Sequence, residues 1–433
     1  MGKNIHFIGI GGIGTSSIAQ ILHETGSKVS GSDLVPSQIT KGLKLKGLKV
    51  SYGHSEKNIS KSHDLVIFSP AIPDDNPEIL KAKKLKIKCI NYAEALGELS
   101  KKHYTIAVTG THGKSTTTAM LSAIFIKGGM DPTVVIGTKT TELKNKNYRT
   151  GKSNYLILEA CEYKESFLKI KADTLVITNI ESDHLDHYKT LANYRKAFEK
   201  AVKKVPATGK IVINPKEKNL KAITKNAKAE VIPVKFKRER IKLSVPGEFN
   251  VDNAILAAET AKIFGVSTDI IKKTLKDYKG SWRRMQYKRK KIGKLIFIDD
   301  YAHHPTEIKM TLSAIRENHP KARLLCIFQP HQYSRTRILL KEFGKSFIDA
   351  DKVIIPNIYR VRDTEEDVQK VSAEALVKEI NKNSQQTGGS CSPKALDGEG
   401  IKETAKYIKK NKSNFDLVVT MGAGDIDKIY KYL

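Results

Sequence analysis

The sequence predicts an α/β protein, because a short apolar run followed by a helical segment begins a new unit three times along its 433 residues, and a glycine turn joins the two in the first and second units. The three units begin near residues 5, 104 and 295. An apolar content of 39% and a charged content of 28% are typical of a globular protein, and the length suits two or three domains. We therefore predict three domains, at residues 1–100, 101–282 and 283–433.

A glycine-rich turn organises the first domain, which we expect to be Rossmann-like. Residues 5–10 predict a strand, residues 16–24 predict a helix, and the turn between them runs Gly-Ile-Gly-Gly-Ile-Gly. Such a turn lets a pyrophosphate approach the positive end of the helix. Residues 69–72 follow a later strand and either close over that ligand or form a plain β-turn. The residues nominated for a nucleotide-linked ligand are Gly9, Gly11, Gly12, Gly14, Asp33 and Ser69.

The second domain opens with a phosphate-binding loop. An apolar strand at 104–109 precedes Gly-Thr-His-Gly-Lys-Ser-Thr, and a helix is predicted at 119–127. Backbone N–H groups, a lysine and a hydroxyl at this position hold phosphates and Mg²⁺. The loop is a short variant, because Gly110 lies only three residues before Gly113. We predict a central P-loop ATPase domain with a mainly parallel sheet, whose loop residues are Gly110, Thr111, His112, Gly113, Lys114, Ser115 and Thr116.

Further polar residues follow the predicted strands of the second domain. Glu159 follows the apolar strand 155–158, and His184 lies in an acidic segment after the strand 174–178. Ligands collect at the carboxyl ends of parallel strands, so Ser115, Glu159 and His184 are candidate metal ligands. Asn250 and Asn253 stand at the start of an alanine-rich helix, where they either cap it or reach an adenine edge.

The third domain is again predicted to be Rossmann-like, with strands at 295–300, 324–328, 352–356 and 417–420. Its first two strands each lead into a loop that carries histidines, and two such loops in one domain are hard to explain by packing of the hydrophobic core alone. An arginine pair precedes the domain's first strand and is a candidate phosphate clamp. The polar segment 381–400 predicts a surface loop. The candidate residues of this region are Arg284, Asp300, His304, His331, Tyr333 and Arg335.

Charge and cysteine usage restrict the class of protein. The net charge is +30, but the lysines are scattered beside apolar residues and outnumber the arginines that base recognition favours. We therefore expect no nucleic-acid partner. No apolar run is long enough to span a bilayer, and the four widely spaced cysteines form no C-x-x-C pair. We expect a cytoplasmic protein without a membrane partner, as a monomer or homodimer.

Together these motifs closely resemble the Mur ligase family, over the full length and in the same order. The motifs that carry the resemblance are Gly-Ile-Gly-Gly-Ile-Gly, Gly-Thr-His-Gly-Lys-Ser-Thr, the Glu159 segment, Thr-Asn-Ile-Glu-Ser-Asp-His, Pro-Gly-Glu-Phe-Asn-Val-Asp-Asn, Arg-Arg, Asp-Asp-Tyr-Ala-His-His-Pro-Thr-Glu, Phe-Gln-Pro-His-Gln-Tyr-Ser-Arg-Thr and Gly-Ala-Gly-Asp-Ile. The last three are more specific to the member of the family that adds alanine.

The resemblance implies ATP-driven amide formation in the synthesis of peptidoglycan precursors. In such a ligase the carboxylate of UDP-N-acetylmuramate attacks ATP to form an acyl phosphate, which the amine of L-alanine then attacks, with Mg²⁺ assisting. The first domain would hold the UDP moiety. The family's ATP and metal residues fall on Lys114, Ser115, Glu159, His184, Asn250, Asn253, Arg284 and Asp300. Those facing the alanine or the reacting centre fall on His304, His331, Tyr333 and Arg335.

The chain departs from the family pattern at three places. Cys161 and Lys164 replace acidic residues of many members, and Gln332 replaces an arginine. Phe198 stands where members that add later amino acids carry a carbamoylated lysine, so we do not expect that modification. Three alternatives stay open: a ligase that reattaches recycled peptides to UDP-N-acetylmuramate, a nicotinamide-dependent dehydrogenase that uses the first glycine turn, and a basic nucleic-acid-binding protein.

Overall fold

The structure is a computed structural model that describes residues 2–290, 292–387 and 393–433. Three sheets follow one another along the chain, and helices connect their strands. The predicted α/β class, with two Rossmann-like sheets and a mainly parallel central sheet, is confirmed. Within the described residues, no helix combines the length and the apolar character that a bilayer crossing requires.

The first sheet is wholly parallel. Its strands are β1 (Asn4–Ile8), β2 (Lys28–Asp33), β3 (Lys49–Tyr52), β4 (Leu65–Phe68) and β5 (Lys88–Asn91), and its helices are α1 (Ile13–Glu24), α2 (Gln38–Leu45), α3 (Pro77–Lys84) and α4 (Tyr92–Ser100). The strand order is β3-β2-β1-β4-β5. The direction of the connections therefore reverses between β1 and β4, which places the glycine turn after β1 at the usual ligand crevice of such a sheet.

The central sheet has seven strands in the order β12-β11-β10-β6-β9-β7-β8, and only the edge strand β8 is antiparallel to its neighbour. The strands are β6 (Tyr104–Thr109), β7 (Thr133–Thr140), β8 (Lys146–Arg149), β9 (Tyr155–Glu159), β10 (Thr174–Ile177), β11 (Lys210–Ile213) and β12 (Glu230–Pro233). The helices are α5 (Lys114–Lys127), α6 (Leu185–Tyr188), α7 (Leu191–Lys204), α8 (Lys218–Thr224), α9 (Glu248–Ile263) and α10 (Thr268–Asp277). Strand β6 lies in the middle of the sheet and is buried over most of its length, as its apolar sequence predicts.

The third sheet has six strands in the order β13-β14-β18-β15-β16-β17, and only β13 is antiparallel. The strands are β13 (Gln286–Lys288), β14 (Ile296–Asp300), β15 (Leu324–Phe328), β16 (Lys352–Ile355), β17 (Lys394–Asp397) and β18 (Leu417–Met421). The helices are α11 (Pro305–Asn318), α12 (Tyr333–Ile338), α13 (Leu340–Gly344), α14 (Glu365–Gln369), α15 (Ala373–Thr387) and α16 (Ile401–Lys410). The last strand in the sequence, β18, thus lies in the middle of the sheet.

Contacts between Cα atoms divide the chain into two compact units. The first unit contains the first and central sheets and comprises residues 1–183, 190–242 and 252–278. The second unit contains the third sheet and comprises residues 184–189, 243–251 and 279–433. The domain limits at residues 100 and 282 stay a prediction.

The sequence was interpreted wrongly in one segment. The surface loop predicted at 381–400 is occupied at its start by the last residues of α15 and near its end by strand β17. The polar composition of this segment led to the wrong prediction for two reasons. The apolar residues that anchor α15, Leu376 and Ile380, lie before the segment, and Ala395 is the one residue of β17 that is fully buried. The glycine pair 388–389 lies outside the described residues. Helix α5 also begins earlier than predicted, at the phosphate loop itself.

Candidate active site

The phosphate loop joins β6 to α5 and needs both of its glycines. Gly110 has φ +134° and Gly113 has φ +79°, which are conformations that other residues rarely adopt. A Cβ atom would also lie 2.0 Å from Thr178 Oγ1 at the first position and 2.1 Å from Asn253 Oδ1 at the second. The loop is therefore packed against the neighbouring strand end and helix α9, with no room for a side chain at either glycine.

Strand β10 supports the loop from the side. The backbone N–H of Thr111 donates to the carbonyl of Asn179 over 3.0 Å, and that of His112 donates to the Asn179 side chain over 2.9 Å. The Thr178 hydroxyl donates to the carbonyl of His112 over 2.6 Å. Neither Thr178 nor Asn179 was nominated from the sequence, although their position at the end of a strand paired with β6 was the available signal.

Lys114 is the first residue of α5, and its ammonium lies among acceptors of the protein. It donates to the carbonyls of Gly110 and Thr111 over 2.6 and 2.9 Å and to the carboxylate of Glu162 over 3.0 Å. Burial works to lower the pKa of Lys114, but the neighbouring acidic groups, with Glu162 the strongest and Glu159 among the others, together outweigh it and the net shift is upward. The lysine is therefore a permanent cation at the loop. Glu162, which is fully buried, was missed by the sequence analysis.

Two of the three predicted metal ligands lie together. The Ser115 hydroxyl donates to Glu159 Oε2 over 2.9 Å, and the N–H of Gly137 donates to the same oxygen over 2.8 Å. A hydroxyl and a carboxylate at hydrogen-bond distance form an oxygen donor set that fits Mg²⁺. The third candidate, His184, belongs to the second unit, where it begins helix α6 with a left-handed backbone of φ +53°.

The two asparagines differ in their contacts. Asn253 accepts a hydrogen bond from Thr117 over 3.2 Å and lies against Gly113, so it is part of the loop's surroundings. Asn250 belongs to the second unit and donates to the carbonyl of Pro246 over 2.6 Å, a bond that fixes the chain before α9. Phe198, where members that add later amino acids carry a lysine, is fully buried and packs edge-to-face on Tyr194 and Phe167.

The first glycine turn is held by Asp33. One carboxylate oxygen of Asp33 accepts from the N–H of Gly11 over 2.7 Å, and the other accepts from the N–H of Leu34 over 2.9 Å. A Cβ atom on Gly11 would lie 2.7 Å from this carboxylate, and one on Gly14 would lie 2.7 Å from the ring of Tyr92. Asp33 therefore supports the turn directly, in addition to its predicted place beside a ribose.

The other candidates of this site lie at the same sheet edge. Gly9 has φ +74°, and a Cβ atom there would lie 3.0 Å from the Cβ of Ser69, so the two strand ends approach closely. Gly12 donates to the carbonyl of Gly9 over 3.2 Å, which closes the turn. The structure thus brings together all six residues nominated for the nucleotide-linked ligand.

A buried carboxylate that the sequence analysis did not predict stabilises the first sheet. Glu78, on α3, accepts hydrogen bonds from His6 over 3.0 Å, Ser32 over 2.7 Å, Asn58 over 2.8 Å and His54 over 3.2 Å. Burial works to raise the pKa of Glu78, but the hydrogen bonds from His6, Asn58 and Ser32 outweigh it and lower that pKa to about 2. The carboxylate therefore joins β1, β2 and the β3–β4 connection as an anion.

In the second unit the two arginines of the pair have different roles. Arg283 is buried and donates to Asp299 over 3.2 Å and to the carbonyls of Gly424 and Gly422 over 3.0 and 2.6 Å. The guanidinium of Arg284 lies over the ring of Tyr301, 5.1 Å from its centroid, and is partly exposed. Arg283 is thus a structural cation, and Arg284 is the arginine whose exposure suits a phosphate clamp.

Asp300 ends strand β14 with its carboxylate turned inwards. Its oxygens accept from the N–H groups of Met285 and Ala302 over 2.7 and 2.8 Å. Burial raises the pKa of the Asp300 carboxyl, against the opposing effect of the Arg284 charge. The predicted ATP residue therefore fixes the turn that carries Arg284, which is a positioning contact.

The two histidine-bearing loops meet through ring contacts. His331 stacks on Tyr359, with centroids 5.7 Å apart and planes at 15°, and packs edge-to-face on His303 at 6.0 Å. Arg335 Nη1 lies 3.5 Å from His331 Nδ1. His304 is buried instead, and its Nδ1 caps α11 by accepting from the N–H of Thr306 over 3.3 Å. The ring that packs on His331 is that of the neighbouring His303, which was not nominated from the sequence.

The entry into α12 is strained. Gln332 precedes Tyr333, the first residue of this helix, and has φ +76° although it is not a glycine. Its side chain is buried, and its N–H donates to the carbonyl of Tyr359 over 3.0 Å. The departure at residue 332 thus lies inside the loop that leads to Tyr333 and Arg335.

Known proteins share the order of domains found in this chain. Three family models match in order: the Mur ligase family catalytic domain at residues 4–104, the Mur ligase middle domain at 108–240 and the Mur ligase glutamate ligase domain at 283–424. The chain is 41% identical to a UDP-N-acetylmuramate–L-alanine ligase of Acetivibrio thermocellus, over 99% of this chain and 94% of the relative. It is 40% identical to the enzyme of that name in Clostridium kluyveri, over 99% and 97%.

A solved structure agrees with the sequence relatives. The crystal structure of a UDP-N-acetylmuramate–alanine ligase from Thermotoga maritima is 27% identical and superposes with a TM-score of 0.79, covering 99% of this chain and 97% of that one. The match extends over all three sheets and both glycine loops. The chain therefore belongs to the Mur ligase family.

Proposed function

We propose that the protein is an ATP-dependent ligase that joins L-alanine to the carboxylate of UDP-N-acetylmuramate in peptidoglycan precursor synthesis. The observation that carries this proposal is the identity of about 40% along the whole chain to ligases of that one activity. The structure adds two glycine turns at sheet edges, one suited to a UDP pyrophosphate and one suited to ATP. A dehydrogenase would use only the first of these turns, and a nucleic-acid-binding protein would use neither.

Lys114 is the residue that we expect to receive the terminal phosphate of ATP. Its ammonium is fixed at the start of α5 by two loop carbonyls, and its pKa is raised, so it remains charged at neutral pH. A fixed cation at this point neutralises charge on the phosphoryl group as the substrate carboxylate attacks it in line. The products are an acyl phosphate and ADP, and attack by the deprotonated amine of alanine on the acyl carbon then forms the amide and releases phosphate.

Ser115 and Glu159 are the residues that would hold Mg²⁺ in the first unit. Their oxygens lie 2.9 Å apart, and the N–H of Gly137 orients the carboxylate. Bound Mg²⁺ would supply charge neutralisation and orientation to the phosphates. Among the residues of the second unit, we assign Arg284 to the phosphates and His331, Tyr333 and Arg335 to the alanine, on the family resemblance and their shared sheet edge. His184, His304, Asn250 and Asp300 keep their predicted roles as proposals.

The cellular setting follows from the proposed substrates. The widely spaced cysteines suit a reducing compartment, and Cys89, Cys161 and Cys326 are free in the structure. We therefore place the reaction in the cytoplasm, with a monomer or homodimer as the working form. The strongly basic composition would favour the encounter with two polyanionic substrates, ATP and a UDP-sugar.

The test is phosphate release from purified protein supplied with Mg²⁺, ATP, UDP-N-acetylmuramate and L-alanine, each omitted in turn. We expect release only with all four components. A second series replaces alanine with the tripeptide that a recycling ligase uses. Faster release with the tripeptide than with alanine would move the assignment to the recycling ligase, and no release in any mixture would contradict both.

A further inference from the structure

Strand β8 of the central sheet lies along helix α1 of the first sheet, within the first unit. Asn147 Nδ2 donates to the carbonyl of Ile13, the first residue of α1, over 2.7 Å. The Tyr148 hydroxyl donates to Glu24, the last residue of α1, over 2.7 Å, and the Thr150 hydroxyl donates to the same carboxylate over 2.6 Å. The strand therefore holds the helix at both of its ends.

The contact between β8 and α1 resembles a protein core, because its central side chains are buried. Asn147 and Tyr148 are 7% and 2% exposed. Lys46 of the first sheet also reaches this strand and donates to the Tyr148 hydroxyl over 2.7 Å. A buried amide that loses its partner destabilises the fold, so the bond between Asn147 and Ile13 resists transient opening.

The same hairpin contacts the candidate metal site. Strands β7 and β8 pair regularly at Val135 and Tyr148, and the register then shifts before Thr140. Gly137 lies in this irregular stretch, and its N–H donates to Glu159, the carboxylate that also accepts from Ser115. One hairpin thus contacts Glu159 through β7 and the start of α1 through β8.

We propose that Asn147 is a positioning residue that sets the distance between the sugar-nucleotide and ATP. This inference rests on the proposed function, in which the sugar-nucleotide lies at the glycine turn before α1 and ATP lies at the phosphate loop. The two turns belong to different sheets, yet the carboxylate must reach the terminal phosphorus to within about 3.5 Å for in-line attack. The β7–β8 hairpin supplies the rigid link, and Asn147 fastens it to the helix that carries the glycine turn.

The experiment compares Asn147→Asp and Asn147→Ala with the intact protein in the four-component assay. Aspartate has the shape of asparagine but cannot donate to the Ile13 carbonyl, so both variants should lower kcat by about 10- to 100-fold, the effect of a misplacement near 1 Å. Calorimetry with each ligand alone should give dissociation constants within about threefold of wild type, since Asn147 acts through the helix. Asn154→Ala, an exposed asparagine near the next strand, is the matched control and should leave kcat unchanged.

A second measurement is independent of activity. Hydrogen exchange of the amides of residues 17–20, which bond within the first turns of α1, should be faster in Asn147→Asp, while the amides of α5 keep their rates. Unchanged kcat in both variants would overturn the proposal, as would a loss confined to the affinity for the sugar-nucleotide. If the wild-type protein itself released no phosphate, the proposed function would fail, and unchanged exchange in α1 would then overturn the link between hairpin and helix separately.

Discussion

The ammonium of Lys114 lies 3.0 Å from the carboxylate of Glu162, and this carboxylate has no exposed surface. The lysine that the phosphate loop offers to a nucleotide is thus already paired with an anion from the segment after β9. Phosphate oxygens brought to this loop will meet an attractive cation and a repulsive carboxylate at once. The affinity for ATP therefore depends on how strongly Lys114 interacts with the phosphate and how strongly it interacts with Glu162.

Lys114→Ala should abolish ligation while the first sheet keeps its ligand. Loss of the cation that is fixed at the phosphate loop should lower kcat/KM by about 10³-fold or more. Binding of UDP-N-acetylmuramate alone, measured by calorimetry, should stay within about twofold of wild type, because Lys114 lies on the central sheet. Lys127→Ala at the other end of α5 is the control. Substantial turnover by the Lys114 variant would remove this residue from the mechanism.

Glu162→Gln should tighten the binding of ATP. The substitution keeps the shape and an oxygen acceptor for Lys114 but removes a negative charge close to the expected phosphate position, and a change of about 1.4 kcal/mol corresponds to tenfold in the dissociation constant. Calorimetric titration with ATP in the absence of Mg²⁺ measures the change.

The control for this substitution is Glu165→Gln. Glu165 is partly exposed and pairs with Lys200 over 2.7 Å, so its replacement should leave ATP binding unchanged. Because a broken buried ion pair destabilises a fold, the urea midpoint of Glu162→Gln must also be measured. Weaker ATP binding by a variant with a normal midpoint would show that Glu162 assists the nucleotide instead of opposing it.

Ser115→Ala should raise the requirement for Mg²⁺. The variant loses one of the two oxygen ligands proposed for the ion and leaves Glu159 with only the Gly137 bond among the contacts described here. We expect the Mg²⁺ concentration for half-maximal activity to rise about tenfold, equivalent to about 1.4 kcal/mol. Ser122→Ala, a buried serine further along α5, should leave the Mg²⁺ curve in place. Identical curves for all three proteins would rule Ser115 out as a ligand.

Glu78→Gln should remove an acid-sensitive part of the stability of the first sheet. The pKa of Glu78 is lowered from 4.5 to about 2, so the ionised carboxylate stabilises the fold above pH 4.5 and this contribution is lost as the pH falls towards 2. Urea unfolding should show a deficit on the order of 2 kcal/mol for the variant at pH 7, shrinking between pH 5 and pH 3. A deficit that stays constant with pH would mean that packing, not ionisation, makes the difference.

The sequence predicted the residues that belong to local patterns. Alternating strands and helices determined the fold class, and the phosphate loop located Lys114 and Ser115 within one turn. Glu159 was found because it ends a strand parallel to that of the loop, and Ser115 indeed lies 2.9 Å from it. Each of these inferences needed only the spacing along the chain and the rule that the carboxyl ends of parallel strands share one edge.

The missed residues are those whose partners are distant in the sequence. Glu162 meets Lys114 across 48 positions, and Glu78 meets His6 across 72. Asn147 meets Ile13 across 134 positions and two sheets. A carboxylate or amide can be buried only where the folded chain supplies hydrogen-bond partners, and these partners leave no periodic pattern in the sequence. His304 shows the same limit, because only the structure reveals that it caps α11 while His303 contacts His331.

The position of β18 has a consequence for how the protein is made. This strand, Leu417–Met421, pairs with β14 on one side and β15 on the other, so the sheet of the second unit cannot form completely until residues 417–421 have left the ribosome. The hydrogen bonds of the buried Arg283 form equally late, since two of its acceptors are the carbonyls of Gly422 and Gly424. From the synthesis of β14 until that of β18, the nascent chain will therefore carry an open sheet with unpaired strand edges, which is the kind of surface that aggregates and that chaperones bind.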